Sequence, residues 1–165
     1  MGCAFSFGRN GALDMAKCKG FRNFKERGEW VELTFMARAI RKRFKVSKPW
    51  GDSSPYDVGV EHGAELLRVQ VKSTSHRLSN GYQCGLRPNP RKSRRQYSTR
   101  KVDFFAAYIV PEDVWYIIPA AVVLKTKSSC VMLCPVRKQR MRSDSYCYER
   151  YREAWPLLRT AKRHK

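Results

Sequence analysis

The sequence predicts an α+β domain, a sheet of about five strands flanked by an N-terminal and a C-terminal helix. Three observations carry that expectation. An amphipathic stretch comes early, several short apolar or alternating runs divided by turn residues follow it, and a second amphipathic stretch lies near the end. With 165 residues and 42% hydrophobic content, the chain can build one domain with a modest core, and its aromatic content argues against disorder throughout.

Residues 1–25 mix Gly, Lys and isolated aromatics without a period and read as a poorly ordered leader. In "GEWVELTFMARAIRKRFKV", Trp30, Leu33, Ala37, Ile40 and Phe44 recur at three- and four-residue steps, which predicts a helix starting after Gly28. Arg38, Arg41, Lys42 and Arg43 load its C-terminal half, where the helix dipole favours cations. "KVSKPWGDSSPYDVGVE" reads as a short strand, a turn and a second strand in which Tyr56, Val58 and Val60 share a face. "EHGAE" is the next turn, "LLRVQVKS" a third strand, and "GYQCGL" a candidate fourth. Residues 87–101 hold seven basic residues, no acid and two prolines, and are expected to be a loop. "DFFAAYIV", "PED" and "VWYIIP" form a hairpin pattern, and "VMLCPV" a further strand. "YCYERYREAWPLL" places Tyr148, Tyr151, Trp155 and Leu158 on one helical face, bent or ended at Pro156. The expected domain is 26–158, with a basic tail at 159–165.

The charge is the unusual quantity: 34 basic against 14 acidic residues, net +20. Such a surface calls for a polyanion, nucleic acid before anionic membrane, but does not separate an enzyme from a coat protein. Seven of the 14 acids fall between Glu26 and Glu65. They either form surface ion pairs or build a metal site within a phosphate-binding surface. The six cysteines follow no disulfide framework and read as reduced, intracellular thiols. Cys130, Cys134 and Cys147 lack the CxxC or nearby His of a zinc site. "MGCAFS" fits an acylation pattern at Gly2 and Cys3, a short pattern that chance often supplies.

Strand side chains alternate faces, so Val69 and Val71 point one way and Arg68, Gln70 and Lys72 the other. A hairpin at "EHGAE" brings Asp57 to the side of Gln70 and Lys72. An Asp oxygen and the Gln70 carbonyl are hard donors for magnesium, which polarises a phosphoryl oxygen and lowers the pKa of a bound water. Lys72 can orient that water or neutralise charge growing on phosphate. Glu32, with Glu29 as its competitor one turn earlier, can add a further acid from the helix. On spacing alone the set is equally the solvent face of an antiparallel sheet.

"PYD" at 55–57, followed after a hairpin by "QVK" at 70–72 and preceded by the helical Glu32, resembles the PD-(D/E)XK nuclease signature. "GEWVE", "SPYDVGVE", "VQVKS", "VDFFAAYIV", "VWYIIP" and "YREAW" resemble, in order, the branch of group I intron homing endonucleases and Holliday-junction-resolvase-like enzymes, over roughly 28–158. The resemblance implies a restriction-endonuclease-like fold with a mixed sheet, and a metal-dependent DNA endonuclease. Asp57, Gln70 and Glu32 would hold Mg2+ or Mn2+, and Lys72 would be the catalytic lysine. Gln70 departs from the usual acid, and its uncharged amide binds a hard cation less strongly.

In the basic loop, Arg91, Arg94, Arg95, Arg100 and Lys101 are the expected phosphate contacts and Tyr97 a stacking residue, with "RKQRMR" at 137–142 second. His62 reads as an exposed turn residue and Trp50 as partly exposed. The partners expected are duplex or branched DNA and a second copy of the chain, since cutting both strands calls for two sites. The expected location is intracellular, cytoplasmic or nucleoid-associated. The competing readings are a catalytically weak DNA-binding protein on the same fold and, last, an acylated membrane-associated protein.

Overall fold

Asn23 starts the first helix by accepting the Glu26 N–H at 2.8 Å, a side-chain N-cap that satisfies one of the orphan donors of the first turn. Helix α1 spans Phe24–Arg41 in the computed structural model of the chain, which describes residues 21, 23–51, 53–79, 81–86, 98, 100–126, 128–135 and 148–160. It begins ahead of Gly28, where the periodicity placed its start. Arg38 and Arg41 occupy the last turn, as the dipole favours.

The buried ridge of α1 is Val31, Phe35 and Ala39, not the stripe read from the sequence. Leu33 and Ile40 are 59% and 56% exposed, and Ala37 is exposed too. The helix carries apolar residues on nearly every side, so period alone could not choose the face. The Val31–Phe35–Ala39 row wins because it sets the Phe35 ring 5.3 Å from both Trp115 and Trp155. Trp30 and Phe44 do reach the core, as expected.

After α1 come β1 (Val46–Ser47), β2 (Val58–His62), β3 (Glu65–Thr74), β4 (Arg77–Leu78), β5 (Gly81–Gly85), β6 (Phe104–Ile109) and β7 (Val114–Pro119). Helix α2 (Ala120–Lys125), β8 (Cys130–Leu133) and α3 (Leu157–Thr160) follow. Five strands form one sheet in the order β1-β2-β3-β6-β7, antiparallel throughout except for the parallel pair β3 and β6. The sheet is therefore mixed, and its strand number matches the expectation. Strands β4, β5 and β8 form a second, three-stranded sheet, so "GYQCGL" and "VMLCPV" are strands that pair with each other instead of joining the first.

Three layers result. One face of the large sheet packs Val58, Val60, Val69, Val71, Phe104, Ala106, Tyr108, Trp115 and Ile117 under α1. The other packs Phe105, Ala107, Ile109, Tyr116 and Ile118 against Tyr82, Cys84, Val131 and Leu133 of the small sheet. Covered on both sides, β6 is buried at every position, which is why it reads "FFAAYI" with no polar alternation.

The C-terminal segment departs from the single amphipathic helix expected of it. A 3-10 turn spans Glu149–Tyr151, Arg152 bridges to Tyr116, and only α3, beyond Pro156, is α-helical. The free edge of β7 captures the chain. The Glu153 N–H donates to the Trp115 carbonyl at 2.7 Å, while its carboxylate accepts from the Trp115 N–H and the Trp155 indole. Those bonds require an extended approach and a left-handed Glu153 (φ 48°), which a continuous helix would forbid. Tyr148, Trp155 and Leu158 are still buried, so the apolar residues were identified correctly and their period was not. Among the described residues no helix is long and apolar enough to cross a membrane.

Candidate active site

The antiparallel register Val58↔Val69 puts Asp57, the residue before β2, beside Gln70. The Asp57 N–H extends the ladder by one bond, to the Val69 carbonyl at 3.0 Å. Its carboxylate turns back onto β3, where Oδ2 accepts the Val71 N–H at 2.8 Å and the Gln70 amide. Oδ1 accepts no hydrogen bond among the described residues. Gln70 is 5% exposed, between the buried Val69 and Val71 of β3.

Burial pushes the Asp57 carboxyl above the usual aspartate range, because the charged form loses hydration. The Lys72 ammonium and the Val71 N–H pull it back, Glu32 pushes it up and Lys48 lowers it. Three charged groups thus act on one carboxylate. Lys72 is half-buried on the same face of β3 as Gln70. Glu32 comes from α1, next to the buried Val31, with its side chain 20% exposed. The structure brings Glu32, Asp57, Gln70 and Lys72 together, and leaves Glu29 exposed at the margin.

Lys48 was missing from the sequence reading. Its Nζ lies 2.8 Å from Glu32 Oε2, and that contact, followed by the charges of Glu29 and Asp57, raises its pKa against the cost of partial burial. It stands just after β1, which pairs with β2, and the edge-strand pairing that brings it to the site has no local signature.

Arg68, on the strand face it shares with Gln70 and Lys72, is taken up by an acid just ahead of the neighbouring strand β6. It makes a forked pair with Asp103, Nε to Oδ2 at 2.9 Å and Nη2 to Oδ1 at 2.8 Å, and bonds to the Arg100 carbonyl. Asp103 also accepts the Arg68 N–H, tying the entrance of β6 to β3. Arg100 and Lys101 are exposed just ahead of β6, whose Phe105 pairs with Gln70. Arg91, Arg94, Arg95 and Tyr97 lie outside the described residues, as does the 137–142 run. His62 ends β2 instead of standing in a turn, and Trp50 is fully exposed in the loop between Lys48 and Asp57.

A divalent ion fits this donor set. Asp57 offers a free oxygen on a carboxylate whose own charge is disfavoured by burial, and a cation there relieves that cost. Gln70 spends its amide nitrogen on Asp57, leaving its carbonyl oxygen as a hard donor. Among the described residues no three His, Cys, Asp or Glu side chains are placed to hold a metal by themselves. Cys134 is buried with its pKa raised by burial, and Cys147 is outside the described residues.

A sequence model described as PD-(D/E)XK endonuclease matches residues 22–155. No curated protein matches the chain. Among solved structures, that of a bacterial homing endonuclease is similar over 82% of this chain and 93% of its own, with 28% sequence identity and a TM-score of 0.70.

Proposed function

The chain belongs to the PD-(D/E)XK endonuclease family, and from that premise we propose that Asp57, Gln70, Lys72 and Glu32 are the active site of a DNA endonuclease dependent on Mg2+ or Mn2+. The protein is a DNA-cleaving hydrolase of that family, whose members generally use divalent metal ions. What is proposed is the residues, the ion and the part played by glutamine. Asp57 Oδ1, the Gln70 carbonyl and Glu32 would hold the ion, which when bound polarises a phosphoryl oxygen and supplies a nucleophilic water. The Val71 N–H fixes the rotation of the Asp57 carboxylate. Lys72, on the same face, donates to the phosphate oxygens and offsets the charge that develops as the water attacks.

One observation carries the reading: a half-buried carboxylate with one oxygen tied to β3 and the other accepting no hydrogen bond among the described residues, within the field of Lys72. A second reading has a specific observation behind it. Gln70 is uncharged and donates to Asp57, so the site holds one charged donor fewer than the usual signature, which favours a DNA-binding relative that cuts weakly. Linear, supercoiled and four-way-junction DNA, each incubated with Mg2+, with Mn2+ and with EDTA, separates the two. Cleavage that EDTA abolishes, and that Asp57→Ala and Lys72→Ala each remove while binding persists, supports the enzyme. Binding without nicking in either metal supports the relative.

The similarity to a bacterial homing endonuclease supports DNA as the substrate; that the DNA is duplex, and that the setting is a group I intron, are part of the proposal. Cutting both strands of a duplex would call for two such sites, and so for a homodimer. Residues 26–158 are taken as the catalytic domain, and an intracellular location, cytoplasmic or nucleoid-associated, is part of the same proposal.

A further inference from the structure

Two lysines and two carboxylates meet at the site. Asp57 lies in the field of Lys72, and Glu32 is paired with Lys48 at 2.8 Å. Their formal charges cancel before any ion enters. Lys48 is the more exposed partner, 45% against 20% for Glu32, so its ammonium reaches in from the solvent side over a half-buried acid. Asp57 feels the same ammonium. Lys48 thus stands in the field of the two acids that the proposed ion would use, in the place of part of that ion's charge. The segment that carries it continues through Pro49, a fully exposed Trp50 and Gly51, a left-handed residue (φ 77°), so little packing opposes its withdrawal.

We propose that Lys48 is a built-in counter-ion of the active site, a positioning residue that holds Glu32 while no metal is bound and must release it when a divalent ion arrives. The inference rests on the assignment of Asp57 and Glu32 to the ion site. Metal affinity is then set by a competition inside the protein. The ion meets a neutral site, not a dianionic one, and binds weakly until the freed ammonium finds another anion. Glu29, whose charge already acts on Lys48, is one such anion, and a DNA phosphate brought to the site is another, so ion and substrate favour each other's binding.

A second lysine on the same edge is a built-in comparison. Lys45 faces Glu61 at 3.8 Å with both side chains widely exposed, and it lines a different surface. Removing either lysine lowers the net charge equally, so only a local effect distinguishes them.

The test is direct binding of Mn2+ to the DNA-free protein, read from the electron paramagnetic resonance of the free ion. Wild type is compared with Lys48→Met, Lys48→Arg, Lys45→Met and Asp57→Ala. Lys48→Met is expected to bind Mn2+ at least about fivefold more tightly, the effect of one unit charge about 4 Å away even in bulk water. Lys48→Arg and Lys45→Met are expected to match wild type, and Asp57→Ala to lose the site. Equal affinity in Lys48→Met and wild type overturns the proposal, as does equal tightening in Lys45→Met. Unchanged Mn2+ binding in Asp57→Ala overturns the site assignment instead, whatever Lys48 does.

Discussion

Asp57 is an acid whose surroundings work against its own charge, and two measurable consequences follow. Its folded-state pKa is raised by burial above the unfolded value. The fold therefore favours the protonated form, and the stability this group contributes is present at low pH. That stability is lost as pH rises from the ordinary aspartate range through the raised value. Asp57→Asn removes the half-buried charge while keeping an oxygen for the Val71 N–H. The variant should melt higher than wild type at pH 7 in EDTA, by about 2–4 °C for each kcal/mol relieved, and should not cleave DNA. An unchanged melting temperature would mean that Lys72 already cancels the burial cost. In the wild type, the acid limb of the pH–rate profile at low metal should lie above the usual aspartate range and move down as metal is raised. Gln70→Glu adds a charge beside the same carboxylate, so half-maximal activity should come at a lower Mg2+ concentration.

Helix α1 shows what a hydrophobic period can and cannot say. Its existence was legible because eighteen residues contain no proline and an excess of good helix formers. Its buried face was not, because Leu33 and Ile40 compete with Val31 and Phe35 on equal terms until the sheet supplies Trp115 and Trp155 as neighbours. Phe35→Ala should cost about 3–5 kcal/mol, whereas Leu33→Ala should fall within about 0.5 kcal/mol of wild type; urea unfolding of the two variants checks the phase. The strands divide in the same way. The Asp57–Gln70–Lys72 group was legible because one short hairpin joins its two strands, so alternation alone brings the residues together. The split into two sheets was not, since an apolar run does not name its partner. Nor was Lys48, whose acid sits on a separate element. Arg68 is a further case. On the strand pattern it belongs to the phosphate face, yet Asp103 claims it, with side chains only 14% and 12% exposed. Asp103→Ala, which removes the carboxylate that arginine is forked to and leaves it its bond to the Arg100 carbonyl, should destabilise the fold by up to about 3 kcal/mol and loosen the start of β6 in hydrogen exchange.

At the scale of the whole molecule, an excess of 20 positive charges on 165 residues makes the surface a poor neighbour to itself and a good one to DNA. Affinity for duplex DNA should fall steeply with salt, log K dropping by about 0.9 per phosphate neutralised for each tenfold rise in salt. Replacing Arg91, Arg94 and Arg95 by Ala should flatten that slope; an identical slope would remove the basic loop from the interface. The parallel pairing of β3 with β6 adds a kinetic consequence. Val69 lies beside Phe104, so the chain must close a loop that contains the whole basic stretch 87–101 before the central core can form. Closure confines seven like charges, and the barrier should carry that repulsion. Stopped-flow refolding should accelerate as sodium chloride screens the loop, while unfolding, which begins from the closed state, should change less. A chain assembled this way folds fastest where counter-ions are plentiful, and the polyanion it is built to cut would be a template for its own folding.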